Sequence, residues 1–236
     1  MFIKIPAKYR FRPTILGLLF HPTFIGRYAL YHEVKQFSMS INGNILDLGC
    51  GEKPYSNLFK TANYIGLDYE NSTHEIKNLT ADIYYDGNKI PFDNNYFDAL
   101  LCTEVITHVK DFVNIIGEIH RVMKPGGKAL ITLPFIWFEN EPPNDYYRFT
   151  SWGSMAIFSD GFKIVSHKKI LSFFPIIVQL FLSRLYYKFC KKNYLLILLF
   201  SIIFFPIKLF AFFVHLLNLN PDVFYFSNVL IVEKEV

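Results

Sequence analysis

The first chemical signal in the chain lies between Asn44 and Tyr55, N-I-L-D-L-G-C-G-E-K-P-Y. Ile45, Leu46 and Leu48 form a short apolar run that stops at Gly49, Cys50 and Gly51, as a buried parallel strand stops at a tight turn. Glycine suits that turn because a side chain would keep the backbone away from a ligand. Roughly twenty residues on, Tyr64 to Asp68 repeats the pattern and ends in a carboxylate, where a nucleotide-binding βαβ unit places the acid that grips both ribose hydroxyls. A glycine turn alone ends many strands; the two strands together describe a nucleoside pocket. Two positions depart from the dinucleotide fingerprint. Asp47 precedes the first glycine by two residues, and Lys53 stands where a third glycine would.

These motifs resemble those of the class I S-adenosylmethionine-dependent methyltransferases of the type 11 group. The runs P-F-D-N-N-Y-F-D from Pro91 to Asp98 and E-I-H-R-V-M-K-P-G-G from Glu118 to Gly127 fit the same family. The resemblance implies S-adenosyl-L-methionine as cofactor, held by Asp47, Gly49, Cys50, Gly51, Asp68, Tyr69, Asp82, Ile83 and Thr103. It puts Asp47 near the cationic methionine end, Tyr69 beside the adenine, and Asp82 as acceptor from the adenine amino group. A surface loop acid is the other reading of Asp82. The implied fold is α/β: a Rossmann-like seven-stranded methyltransferase sheet with an antiparallel last strand, here with an apolar helical insertion before it.

On the acceptor side, Glu104 and His108 are four residues apart and are expected to share a helix face. Some members of the family carry E-x-x-E-H here, with a metal or a base. Thr107 replaces the second acid, which argues against magnesium, and no metal site is expected. His108 is the candidate base for a hydroxyl acceptor, because a neutral imidazole within hydrogen-bond reach can take the proton; a structural histidine beside the cofactor is the other reading. Trp137 to Thr150, W-F-E-N-E-P-P-N-D-Y-Y-R-F-T, resembles a stretch of bacterial methyltransferases found among surface-glycan genes, with Asn140 where histidine is usual. Asparagine takes no proton at neutral pH, so that position has no acid–base role. Glu104, Asn140, Glu141, Asp145, Tyr147 and Arg148 are the candidate acceptor residues. Carboxylates, a guanidinium and aromatic faces suit a polar ring such as a sugar, and an Arg–Asp lock internal to the loop would use the same letters.

The elements that must position these groups follow from periodicity. A third strand is expected at Ile76–Leu79 and a fourth at Phe97–Thr103. A helix from Asp111 to Met123 has Val113, Ile116, Ile119 and Val122 at helical spacing, and Lys124-Pro125-Gly126-Gly127 stops it. His120 and Arg121 are expected to face solvent or a neighbouring helix. Strands at Ala129–Leu133, Phe162–His167 and Phe224–Val232 complete the sheet, with a helix over Ser151–Ser159; the resemblance implies that the last strand is antiparallel and lies between the other two. Residues 1–40 read as a basic helical lead-in without a signal-peptide pattern. Residues 41–170 form the cofactor-binding core, 171–221 the insertion, and 222–236 the last strand.

Composition points to one substantial domain that carries more apolar surface than a core of its size needs. Of 236 residues, 52% are hydrophobic and 18% aromatic, against an apolar norm of ~45–50%. Three widely spaced cysteines exclude a disulfide framework and a zinc site. The net charge of +4 hides a segregation. Before Ile41, Lys4, Lys8, Arg10, Arg12, Arg27 and Lys35 face only Glu33, and Gly161 to Pro221 carries lysines and arginines with no acid. These bases alternate with aliphatic and phenylalanine runs, which disfavours nucleic acid and favours an anionic membrane surface. Leu171–Leu182 and Tyr194–Leu219 are apolar runs joined by a basic link, Arg184–Lys192. Ser201, Lys208 and His215 recur every seven residues as a narrow polar stripe facing either protein or headgroups. A helical cap buried on the domain or in a dimer is the plainer reading of this insertion.

The function expected is methyl transfer from S-adenosylmethionine to a polar acceptor, first a sugar or lipid-linked glycan hydroxyl, second a lipid or quinone-type ring. The expected site of action is the inner face of the cytoplasmic membrane, peripheral or monotopic. A non-catalytic membrane adaptor that retains the fold is the alternative from another class.

Overall fold

The computed structural model describes residues 13–60, 62–70, 80–190, 193–217 and 223–235. Seven strands form one sheet in the order β3-β2-β1-β4-β5-β7-β6. They are β1 (Gly43–Leu48), β2 (Ala62–Tyr69), β3 (Ile83–Tyr85), β4 (Phe97–Thr103), β5 (Met123–Pro134), β6 (Phe162–Ile170) and β7 (Ser227–Lys234). From β3 through β1 to β5 the neighbours are parallel, and β7 lies antiparallel to β5. The expected antiparallel last strand is therefore present between β5 and β6, although it begins at Ser227 rather than Phe224. The expected third strand at Ile76–Leu79 lies outside the described residues, and the strand that pairs with β2 is Ile83–Tyr85.

The helices are α1 (Ile15–Phe20), α2 (Phe24–Ser38), α3 (Phe112–Val122), α4 (Ser151–Ala156), α5 (Phe173–Leu185) and α6 (Tyr194–Leu216). Asp111 caps α3 by accepting from Asn114 N at 3.1 Å, one of the free amides every helix start leaves. Its buried face is Ile115, Ile116, Ile119 and Val122, against Leu46, Leu48, Leu67, Leu100 and Ile131 of the sheet. Val113, counted on that face from spacing, is instead 70% exposed.

Two of the sequence motifs tie α3 and the ends of the central strands together. Arg121 does not face solvent: its guanidinium binds Glu118 (2.7 Å) and donates to the carbonyls of Ile90 and Phe92, both at 2.8 Å. Glu118 in turn accepts from Ile90 N, so the helix clamps the turn that leads into β4. Asp98 accepts from Asn44 N at the start of β1 and from Lys124 Nζ before the body of β5. Asn228 of β7 donates to the carbonyls of Leu133 and Phe149 and lies 3.0 Å from His167 Nε2.

The chain divides into two compact units: Val34–Lys168 with Ser227–Val236, and Lys169–Phe226 with the residues before Val34. The described residues of the lead-in up to Glu33 thus share a unit with the insertion, while the rest of α2 from Val34 falls in the other. Within the shared unit α6 packs on α1 and α5. Gln179 of α5 accepts from Gly26 N at 2.7 Å, Lys208 Nζ donates to the Leu19 carbonyl, and the Tyr28 ring meets Phe212 and His215 edge-on. The stripe of Ser201, Lys208 and His215 therefore turns inward, with Ser201 and Lys208 buried. Arg184 belongs to α5 itself, and Tyr186–Cys190 continues it as a π-helical turn where a link was expected.

At the end of β1, Gly49 has φ +70° and a Cβ there would overlap the Val105 side chain. Gly49→Ala is expected to lower the free energy of unfolding by about 2 kcal/mol or more, from a left-handed backbone plus a steric clash. Urea unfolding checks this; an unchanged midpoint would contradict it.

Candidate active site

The parallel register sets the site, since ligands of open α/β sheets bind outside the carboxyl ends of the strands. Asp47 pairs with Gly66 and Leu48 with Leu67, so β1 and β2 end side by side. Gly49 N donates to the Leu67 carbonyl at 2.8 Å and Cys50 N does so at 3.2 Å. Asp68, buried, accepts from Gly51 N at 2.7 Å through one oxygen and from Tyr69 N at 2.8 Å through the other. Each of these carboxylate oxygens has further lone pairs for ligand hydroxyls. A Cβ on Gly51 would meet nothing within 4 Å, so the turn borders open space.

Asp47 is 1% exposed. Its Oδ2 accepts from the Tyr64 hydroxyl, while Oδ1 is buried and accepts from no group among the described residues. Burial pushes its carboxyl up from 3.8 to about 7; the Tyr64 bond and Lys53 pull it back, and Asp68 adds to the rise. Burial, followed by Asp47 and Asp68, likewise pushes the Cys50 thiol up, so Cys50 packs rather than reacts.

Lys53, the departure from the glycine pattern, has φ +50°. Its ammonium pairs with Asp82 at 2.5 Å. A Cβ on Gly66 would run into the Lys53 stem and Cys50, so the lysine crosses β2 where only glycine leaves room. Asp82 also accepts from Gly66 N at 2.7 Å. Despite the burial cost, the Lys53 and Gly66 bonds hold its carboxyl below the ordinary range. It stands at the amino side of β3, next to Ile83, which packs against the core. The carboxylate at the carboxyl end of β3 is Asp86, missed in the sequence, which accepts from Asn88 N at 2.9 Å. Tyr69 lies at the matching end of β2, 38% exposed, its ring over Gly87.

At the end of β4 the expected Glu104–His108 helix face does not form. Thr103 is the last strand residue, Glu104 turns off with φ +61°, and only Ile106–His108 winds into a 3-10 turn. Glu104 Oε1 accepts from the Ser227 hydroxyl at 2.8 Å, and Glu104 N donates to Thr132 Oγ1 at 3.0 Å. Burial pushes the Glu104 carboxyl up, opposed by its bonds to Ser227 and Thr132 and by the charges of His108 and Arg148. His108 Nδ1 lies 2.6 Å from the Asn144 carbonyl. A carbonyl only accepts, so Nδ1 carries the proton and Nε2 of the neutral ring is the basic nitrogen.

The Asn140–Arg148 loop largely binds itself. Arg148 grips Asp145 through two bonds of 2.6 and 2.7 Å and donates to the Phe138 and Tyr147 carbonyls. Asp145 also accepts from Asn140 N at 2.6 Å. Asn140 Nδ2 donates to Glu141, which has φ +57°. The Tyr147 hydroxyl donates to the Lys110 carbonyl at 2.8 Å. Of the six acceptor candidates, Asn140, Asp145 and Arg148 thus form the internal lock, Tyr147 ties the loop to Lys110, and Glu104 stands nearest the strand ends. Among the described residues, no cluster of three or more His, Cys, Asp or Glu is placed to hold a metal ion.

The fold and the acid-and-glycine turn between β1 and β2 define an α/β enzyme of the Rossmann-like methyltransferase class. Residues 46–131 match the family model described as a methyltransferase domain. An uncharacterized protein of Methanocaldococcus jannaschii is 32% identical over 159 residues, 64% of this chain and 70% of that protein. The demethylmenaquinone methyltransferase of Staphylococcus saprophyticus is 27% identical over 54% of this chain and 58% of its own. Among solved structures, phosphoethanolamine N-methyltransferase 2 of Haemonchus contortus with S-adenosyl-L-methionine superposes with TM-score 0.57 at 19% identity, covering 94% of this chain and 58% of that one. The cyclase SpnF superposes with TM-score 0.58 at 17% identity, covering 89% and 82%. The chain belongs to the class I S-adenosylmethionine-dependent methyltransferases.

Asp47 sets a pH dependence of stability. The unfolded chain ionises it near 3.8, while the fold keeps its proton to about 7. Between those values the native state binds the extra proton, so this group's contribution is full below pH 4 and is lost as pH rises through 7. Asp47→Asn, neutral throughout, should gain on the wild type by a few kcal/mol between pH 4 and 8. Parallel pH profiles of unfolding would contradict the assignment.

Proposed function

We propose that the protein transfers a methyl group from S-adenosylmethionine to a hydroxyl on the polar head of a lipid-borne acceptor, a lipid-linked sugar being the first case. The observation that carries this reading is that the carboxyl end of β2 holds a carboxylate suited to the cofactor, Asp68, and the turn after β4 holds a histidine whose tautomer is fixed, His108. The residues fit the cofactor: Asp47 Oδ1 is a buried carboxyl oxygen without a hydrogen-bond partner among the described residues, a sulfonium or ammonium beside it would favour its ionised form, and Asp68 suits a ribose diol. Bound there, S-adenosylmethionine supplies an electrophilic methyl. Asp86, at the end of β3, replaces Asp82 as our assignment for the adenine side, with Tyr69 beside it. His108 Nε2 takes the acceptor's hydroxyl proton as its oxygen becomes a nucleophile, and Glu104 orients the acceptor by hydrogen bonding.

Two observations support a lipid-borne acceptor over a free sugar. The loop residues best suited to grip a sugar ring are already engaged, Arg148 with Asp145 and the Tyr147 hydroxyl with the Lys110 carbonyl. The relatives include proteins named for demethylmenaquinone, sterol and 2-phytyl-1,4-naphtoquinone methylation. Those names also favour a quinone-type ring as the second reading.

Incubation of the protein with methyl-labelled S-adenosylmethionine and a polar lipid extract tests the proposal. Label should enter the organic phase as a methyl ether, and His108→Asn should cut turnover by about 10²–10⁴-fold while leaving cofactor affinity intact. A C-methylated product would select the quinone-type reading. Label confined to water-soluble sugars, or a fully active His108→Asn, would overturn the proposal.

A further inference from the structure

We propose that the exposed face of α6, together with that of α5, is a membrane-docking surface that seats the protein in one leaflet of an anionic bilayer without crossing it. The stretch Leu195–Leu216 has a mean hydropathy of 2.6, and only 28% of its most apolar window is buried. The polar residues of α6 are turned inward, with Lys208 held by the Leu19 carbonyl. The outer face is wholly apolar: Leu199, Ile202, Ile203, Phe210 and Phe213 are between 45% and 65% exposed. Phe174 of α5 meets Phe210 at 5.5 Å between ring centres, and Phe173 and Phe181 extend the face at 60% and 57% exposure. This face runs along a helix ~35 Å long and continues onto α5, a contiguous apolar patch of the kind that marks interaction sites.

Connectivity excludes a single crossing. The chain leaves the sheet after β6 and returns in β7, where Ser227 pairs with Pro134 of β5, so an odd number of spans between them would separate β7 from its own sheet. Among the described residues no second helix between β6 and β7 is long and apolar enough to cross: α5 and the π-helical turn that continues it carry Arg184 and Lys188 within Phe173–Cys190, shorter and more charged than the ~20 apolar residues a span needs. A helix that is apolar on one side and packed on the other lies in the interface plane.

Charge selects lipid over a second copy. The segment from Gly161 to Pro221 has no acid. Arg184 and Lys188 are exposed beside Tyr187 and Phe189 at the turn between α5 and α6, the basic and aromatic mixture that sits at headgroup level. Two copies meeting on this face would bring like charges together, whereas anionic headgroups neutralise them.

The docking face does not depend on which acceptor is methylated. Flotation of the full-length protein with phosphatidylglycerol-containing and with pure phosphatidylcholine vesicles tests it. The protein should float preferentially with the anionic vesicles. Ile203→Glu with Phe210→Glu should lower the bound fraction about tenfold or more, with cofactor affinity retained as evidence of folding. Arg184→Glu with Lys188→Glu should weaken binding to anionic vesicles alone. In Ile203→Trp, the added fluorescence should be quenched most by lipids brominated near the headgroup. No flotation, unchanged flotation of the Glu variant, a dimer that abolishes vesicle binding, or strongest quenching from the bilayer centre would each overturn the proposal.

Discussion

The structure depends on how the glycine turn after β1 is tied to the end of β2. Asp68 accepts from the Gly51 and Tyr69 amides, so one carboxylate fixes both strand ends and satisfies amides that a tight turn leaves without ladder partners. The two amides from Gly49 and Cys50 to the Leu67 carbonyl complete the tie. With β1 central in the sheet, this junction sets where a ligand can approach. The Glu118–Arg121 and Asp98–Lys124 pairs hold the neighbouring turns to the same frame; half-exposed as the second is, it serves register more than stability.

The α/β sheet with its antiparallel last strand and the cofactor were legible because apolar runs ending in Gly-Cys-Gly and Asp68 carry both local and positional information. Tyr64 was missed as the partner of Asp47, although Tyr64, Gly66 and Asp68 alternate with Ile65 and Leu67 and so share a face. Asp86 was missed because two acids, Asp82 and Asp86, flank a three-residue strand, and only the pairing of Ile83–Tyr85 with β2 shows which one follows it. The Glu104–His108 face failed for a backbone reason. Spacing of four implies a helix, but Glu104 adopts a left-handed conformation that starts none. Ser227 and Thr132, the groups that hold Glu104, come from strands distant in sequence and leave no local signal.

The helical unit illustrates the same limit from the other side. Its hydropathy was plain, yet the facing of the Ser201–Lys208–His215 stripe was open until packing of α6 on α1 decided it. Arg148 is a parallel case: its letters suit a ligand, and its geometry assigns it to the loop's own carboxylate and carbonyls. A guanidinium so engaged is a scaffold that holds Asn140 and the Tyr147 segment in place.

The central claim is that the β1–β2 junction binds S-adenosylmethionine. Calorimetric titration of the detergent-solubilised full-length protein, with Asp68→Asn alongside, tests it most directly. The account predicts saturable binding by the wild type and at least about tenfold weaker binding by the variant. A folded wild type that binds none, or an Asp68→Asn that binds equally well, would contradict it.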